Sequence, residues 1–199
     1  MILANGYYQL PPGKLANAVT WLELRDLAPQ PVPAPEGFEL RRLNAAEVFL
    51  HRSIYRTIGE PWLWSGLLQK SEAEMADYLA DPLVQSYVVF DKDQPIGLLD
   101  LESDPEDGME IVYLGVLPAY TGQGRGYWLM REAIRIARET GEQRLWLHTC
   151  NFDHPTALAF YQKQGFTIYA QGFEIMDDPR HDGLMPKASA PHVPFLRHR

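Results

Sequence analysis

The sequence predicts a single α/β domain built on a mixed sheet, and three observations carry that expectation. Residues 110–139 read as a strand, a glycine loop and an amphipathic helix in succession. Residues 144–170 read as a second strand, a short helix and a further strand. Upstream, residues 86–90 and 95–101 are apolar runs separated by the polar turn Asp91-Lys92-Asp93-Gln94, the pattern of a hairpin. The chain of 199 residues suits one core.

Taken in order, residues 1–36 read as an N-terminal arm and proline-rich linker. Leu15, Ala18, Val19 and Leu22 have helical spacing, which predicts a helix over 15–27, and Pro31, Pro33 and Pro35 then predict extended chain. The arm is expected on the flank of the domain, with a contact to a second copy (a homodimer) or a cover over an acceptor site as the alternatives. The domain proper is expected over 37–176. Phe38, Leu40 and Leu43 alternate with charged residues as a first strand. Asn44 with Glu47 and Ser71 with Glu74 have capping-box spacing, the first ahead of a helix over 45–58 that Gly59-Glu60-Pro61 ends.

The strand over 111–117 is apolar and β-branched, and Pro118 stops it because proline cannot donate to a ladder. Gly122, Gly124 and Gly126 follow. Over 127–139, Leu129, Met130, Ala133, Ile134 and Ala137 form one apolar stripe. Beyond the strand at 144–150, Asp153 or His154 is expected to cap a short helix with Pro155 in its first turn, and Gly165 to end it. Residues 177–199 form a C-terminal tail without periodicity, in which four prolines exclude a long helix. Either a frayed end or an ordered strap fits that composition.

Strand, glycine loop and helix N-terminus together make an anion site. The first turn of a helix carries unpartnered N–H groups and the positive end of the macrodipole, and glycines let the backbone approach a phosphate or pyrophosphate. A P-loop would need Lys and Ser/Thr after the last glycine, where Tyr127 and Trp128 stand. A dinucleotide fingerprint would need G-x-G-x-x-G and an acidic residue about twenty positions on; here the spacing is G-x-G-x-G, and the next strand has no acidic residue at its end.

The blocks Val116-Leu117-Pro118, Thr121-Gly122-Gln123-Gly124-Arg125-Gly126, Asn151, Ala157-Leu158-Ala159-Phe160-Tyr161 and Gly165-Phe166 resemble, in order and separation, the GCN5-related N-acetyltransferase (GNAT) superfamily. The resemblance covers roughly residues 38 to 175 and implies the α/β GNAT (acyl-CoA N-acyltransferase) fold. That fold is a mixed, mostly antiparallel sheet with helices on both faces, splayed where acetyl-CoA enters. One position departs: Thr121 stands where the family usually has Gln or Arg, which removes one phosphate contact that Arg125 or Gln123 could replace.

The resemblance also implies a function and its residues. The reaction is acetyl transfer from acetyl-CoA to a primary amine by direct attack in a ternary complex. Leu114, Gly115 and Val116 would pair their backbone with the pantetheine arm, Gln123, Gly124, Arg125, Gly126 and Tyr127 would hold the pyrophosphate, and Asn151 would bind pantetheine through its amide. Glu110, which opens the central strand in an E-I-V-aromatic run, would be the general base, with Asp100, Glu102 or a water chain as rivals. Tyr161 would be the acid toward the coenzyme A sulfur. Tyr55, Trp62 and Trp64 would line the acceptor pocket. The alternative class is a non-catalytic acyl-CoA-binding or regulatory module on the same fold.

Composition narrows the setting. A net charge of −8 argues against nucleic acid as the partner. No apolar run approaches a membrane span, and the N-terminus lacks the pattern of a signal peptide. Cys150 is the single cysteine, so no intrachain disulfide and no cysteine-based metal site are expected, and a reducing cytoplasm is the expected compartment. His148 and His154 are read as structural, and no metal is expected.

Overall fold

The computed structural model describes residues 4–28 and 31–196. Its strands are β1 (Lys14–Leu24), β2 (Phe38–Arg42), β3 (Val84–Asp91), β4 (Gln94–Asp104), β5 (Gly108–Val116), β6 (Leu145–Cys150) and β7 (Thr167–Asp177). Its helices are α1 (Val48–Gly59), α2 (Glu72–Ala80), α3 (Arg125–Glu139) and α4 (Ala157–Lys163). The strands form one seven-stranded sheet in the order β2-β3-β4-β5-β6-β1-β7. Every pairing is antiparallel except that of β5 with β6.

Strand alternation divides the core into two layers. Leu99, Leu101, Met109, Ile111, Leu145 and Leu147 face one way and meet the stripe Leu129, Met130, Ala133, Ile134 and Ala137 of α3. Val88 and Leu98 face the other way and meet Ile54, Tyr55 and Ile58 of α1 with Met75 and Leu79 of α2. Each large side chain sealed in this way contributes about 1.5–3 kcal/mol, so the α3 stripe alone holds that helix to the sheet. Both capping boxes form. Asn44 and Glu47 cap a single turn, Ala45–Glu47, that leads into α1, and Ser71 and Glu74 cap α2.

Two sequence expectations are corrected and one open alternative is decided. The helix expected over 15–27 is strand β1, which lies inside the sheet between β6 and β7 rather than on its flank. Leu15, Asn17, Val19, Leu22 and Leu24 are all buried, because the strand is covered on both faces in different stretches. The short helix begins at Ala157 with Thr156 as an N-cap that makes no side-chain bond. Asp153 instead ties the turn after β6, accepting from Thr149 Oγ1 at 2.7 Å and the Cys150 amide at 3.0 Å. Finally, residues 178–196 are an ordered strap. Arg180, 1% exposed, pairs with Asp178 and donates to the carbonyls of Val193 at 2.9 Å and Pro194 at 3.0 Å, and Met185, Ala190 and Val193 enter the second core layer.

The feature that positions the site is the parting of β5 from β6. Their ladder holds only Met109 to Leu145 and Glu110 to Trp146. β5 continues to Val116 and β6 to Cys150, so the two strands splay beyond Glu110. The β6-facing edge of β5 from Ile111 to Val116 pairs with no strand among the described residues.

Candidate active site

The glycine loop leaves β5 and delivers the chain to α3. Gly122 and Gly124 have φ of 73° and 76°, the left-handed region that side chains avoid. Gly124 is the N-cap of α3, and no side chain caps the helix. The amides of the first turn, Arg125 to Tyr127, therefore have no intrahelical acceptors. A Cβ built on Gly122, Gly124 or Gly126 would meet nothing within 4 Å, so the space over this turn is open. Such a cradle fits a pyrophosphate, with Gln123, Gly124, Arg125, Gly126 and Tyr127 around it.

Side chains beside the loop show what stands near the position of the missing Gln or Arg. Thr121 turns back on Pro118, donating through Oγ1 to its carbonyl at 2.8 Å, and does not reach outward. Arg125 is held between two rings, 4.7 Å from the centroid of Tyr120 and 5.3 Å from that of Phe38. These rings fix a cation beside the anion cradle.

Leu114, Gly115 and Val116 lie on the free edge of β5, where an extended arm could add as a further strand. Gly115 is required there, since a Cβ would come within 2.6 Å of Ile58 Cγ2. Across the splay, Asn151 follows β6. Its Oδ1 accepts from the Ala18 amide at 2.6 Å, which anchors β1, and its Nδ2 makes no bond among the described residues.

The three candidate bases differ in their surroundings. Asp100 is fully buried and bonded to His51 Nε2 at 2.8 Å, sealed between the sheet and α1. Glu102 stands opposite Glu110 in the β4–β5 register, and partial desolvation with the neighbouring Glu110 charge raises its pKa. Glu110 sits at the last rung before the splay, 3.0 Å from His148 Nδ1. That bond to Glu110 raises the pKa of His148 against the opposing effect of burial. Sequence reasoning set His148 aside as structural. The structure brings it to Glu110, and only the strand register, invisible in the order of residues, could have shown that.

Tyr161 lies on α4, half-buried against Phe160 and Phe166, with ring centroids 5.5 and 6.4 Å away. Burial raises its phenol pKa, so the hydroxyl keeps its proton. Of the expected pocket-liners, Tyr55 is fully buried in the core, in edge contact with Tyr113 at 4.8 Å, and lines nothing. Trp64, half-buried, packs on Tyr113 at 5.1 Å and donates to Asp153 at 3.4 Å. Trp62 lies between His154 and His192 of the strap, and His192 bonds the Phe152 carbonyl at 2.9 Å. The strap thus packs against Trp62 and the turn after β6, a placement the sequence left undecided. Burial pushes the Cys150 thiol up to about 11, so it stays protonated. No cluster of metal-ligating side chains occurs among the described residues.

The chain matches the acetyltransferase (GNAT) family over residues 51–166, more than half its length, and it belongs to that family. Uncharacterized N-acetyltransferases of Mycobacterium bovis and Mycobacterium tuberculosis are 32% identical over 98 residues, which are 49% of this chain and 62% of theirs. The match therefore spans less than two thirds of those relatives. Among solved structures, an IAA acetyltransferase from Bacillus cereus is 26% identical at a TM-score of 0.52, over 67% of this chain and 79% of that one. A GCN5-related N-acetyltransferase from Kribbella flavida shares the fold at a TM-score of 0.57 and 18% identity, over 84% and 60% of the two chains. An aminoglycoside acetyltransferase from a soil metagenome does so at 0.57 and 20%, over 71% and 99%.

Proposed function

We propose that the protein transfers an acetyl group from acetyl-CoA to a primary amine by direct attack in a ternary complex. The observation that carries this reading is the open, uncapped N-terminus of α3 set beside the free edge of β5. The amides of residues 125–127 and the Arg125 guanidinium take the pyrophosphate, the backbone of Leu114 to Val116 takes the pantetheine arm, and Asn151 Nδ2 donates to it from the other wall. This places the thioester in the splay, next to Glu110. A base on this wall, either Glu110 or the His148 ring bonded to it, draws off the proton a protonated amine must lose. Tyr161, kept protonated by burial, supplies a proton to the departing thiolate. A cytoplasmic setting is consistent with the single half-buried thiol of Cys150.

The second reading, a non-catalytic acyl-CoA-binding module, is favoured by one observation, the inward turn of Thr121. Release of free thiol from acetyl-CoA across a panel of polyamines, aminoglycosides, amino acids and peptides separates the two. Amine-dependent thiol release supports the enzyme; tight CoA binding with none supports the module. A homodimer is proposed through the outer edge of β7, where Tyr169, Phe173 and Ile175 are exposed. A mass by light scattering equal to one 22.7 kDa chain at high concentration would exclude it.

A further inference from the structure

Glu110 and His148 are not equivalent members of their pair. The Glu110 side chain is 19% exposed and the His148 side chain 48%, so the imidazole is the member that reaches the cleft. Glu110 is fixed at the last rung of the β5–β6 ladder, and His148 lies two residues further along β6, on the wall of the splay. Trp21 of β1 pairs with His148 in register and flanks its ring at 6.4 Å.

The single bond of the ring fixes its chemistry. A carboxylate only accepts, so Nδ1 is the donor to Glu110 Oε1. The neutral ring then carries its lone pair on Nε2, which has no partner among the described residues. A base oriented by a carboxylate behind it is the arrangement that hydrolases use to present a lone pair to a reacting group. The charges around the ring come from three elements: Glu110 on β5, Asp153 in the turn after β6 and Glu174 on β7. All three are acidic, and each favours the imidazolium.

We infer that His148 is the group that takes the proton from the amine, with Glu110 holding and orienting its ring. This rests on the acetyl-transfer reading above. In the step, the ammonium R–NH3+ gives one proton to Nε2. The free amine attacks the thioester carbonyl, the N–C bond forms and the C–S bond breaks. The second amine proton passes to solvent as the amide forms, Tyr161 protonates the thiolate and regains a proton from solvent, and Nε2 releases its proton to water, so one proton is released per turnover. Glu110 exchanges no proton in this step and holds the ring through Nδ1. An imidazole raised above its ordinary value of about 6.5 also lies closer to a working pH near neutrality than an ordinary carboxylate at about 4.3.

The test uses the full chain and two readouts. An NMR titration of the His148 ring, its signal assigned by loss in His148→Gln, should give a pKa above 6.5 that falls in Glu110→Gln. The pH profile of kcat on an amine from the panel should rise through that same value. In Glu110→Gln the rising limb should persist and move to lower pH, with kcat about tenfold down. In His148→Gln the limb should vanish, with kcat at least ~100-fold lower and KM for acetyl-CoA within about twofold. A His148→Gln enzyme within threefold of wild type, its limb intact, would overturn the assignment alone. So would a limb lost in Glu110→Gln but kept in His148→Gln, which makes Glu110 the direct base. A wild-type enzyme without turnover on any amine would overturn the acetyl-transfer reading and this assignment with it.

Discussion

Replacing Gly115 with alanine tests the packing behind the free edge of β5. The added Cβ would lie 2.6 Å from Ile58 Cγ2 and 3.4 Å from Trp64 Cη2. Carbon atoms prefer about 3.5–4.0 Å, so Ile58 must yield by about 1 Å while Trp64 is barely touched. The backbone itself is unstrained by a side chain here, since Gly115 is not among the positive-φ glycines. The cost is therefore overpacking, about 1–3 kcal/mol. In a domain of this size each kcal/mol moves Tm by about 2–4 °C, which gives a fall of about 2–12 °C. Gly115 also faces Leu98 across the ladder and lies on the free edge of β5, so affinity for CoA should fall with Tm. Differential scanning calorimetry and CoA titration on Gly115→Ala, Ile58→Ala and the double variant form a cycle. Because alanine at 58 removes the clashing methyl, the double variant should be more stable than the sum of the single effects by about 1 kcal/mol or more. Additivity within about 0.3 kcal/mol would refute the argument.

Three further outcomes are expected. Gly124→Ala forces a side chain into φ of 76°, at a cost of about 1–2 kcal/mol, and should weaken CoA binding at least tenfold by isothermal calorimetry with Tm only a few degrees lower. Tyr161→Phe should lower kcat about 100-fold with CoA affinity within about twofold, since it removes a proton donor and leaves the ring packing in place. Asp178→Asn leaves Arg180 buried without its counter-ion and should cost about 3–5 kcal/mol near pH 7 by urea unfolding. The bond to Arg180, against opposing burial, holds the Asp178 carboxyl below its ordinary 3.8. That stability is complete above 3.8 and is lost as pH falls through the lower folded value, so the gap between wild type and variant should close on acidification below pH 4.

What the sequence made legible was local. The α3 stripe, the two capping boxes, the Asp91–Gln94 turn and the glycine loop each depend on residues within a few positions of one another. What it hid was long-range. In β1, Leu15, Ala18, Val19 and Leu22 satisfy a helical period, yet Leu15, Asn17, Val19 and Trp21 satisfy the strand period as well. The slot between β6 and β7 decided for the strand. The pairing of Glu110 with His148 spans 38 residues and follows only from the parallel register of β5 and β6. The choice between a frayed tail and a strap stayed open because Arg180 is satisfied largely by backbone carbonyls, which any sequence supplies.

The measurement that bears most directly on the account is a thermal shift with acetyl-CoA, CoA and NADH in turn. A ligand at 100 times its Kd adds about 2.7 kcal/mol, which at about 2–4 °C per kcal/mol is a rise of about 5–11 °C. The account predicts that rise with both CoA species and none with NADH, because the open first turn of α3 and the free edge of β5 together fit a pyrophosphate joined to a pantetheine arm. Unchanged Tm with acetyl-CoA and CoA would contradict it.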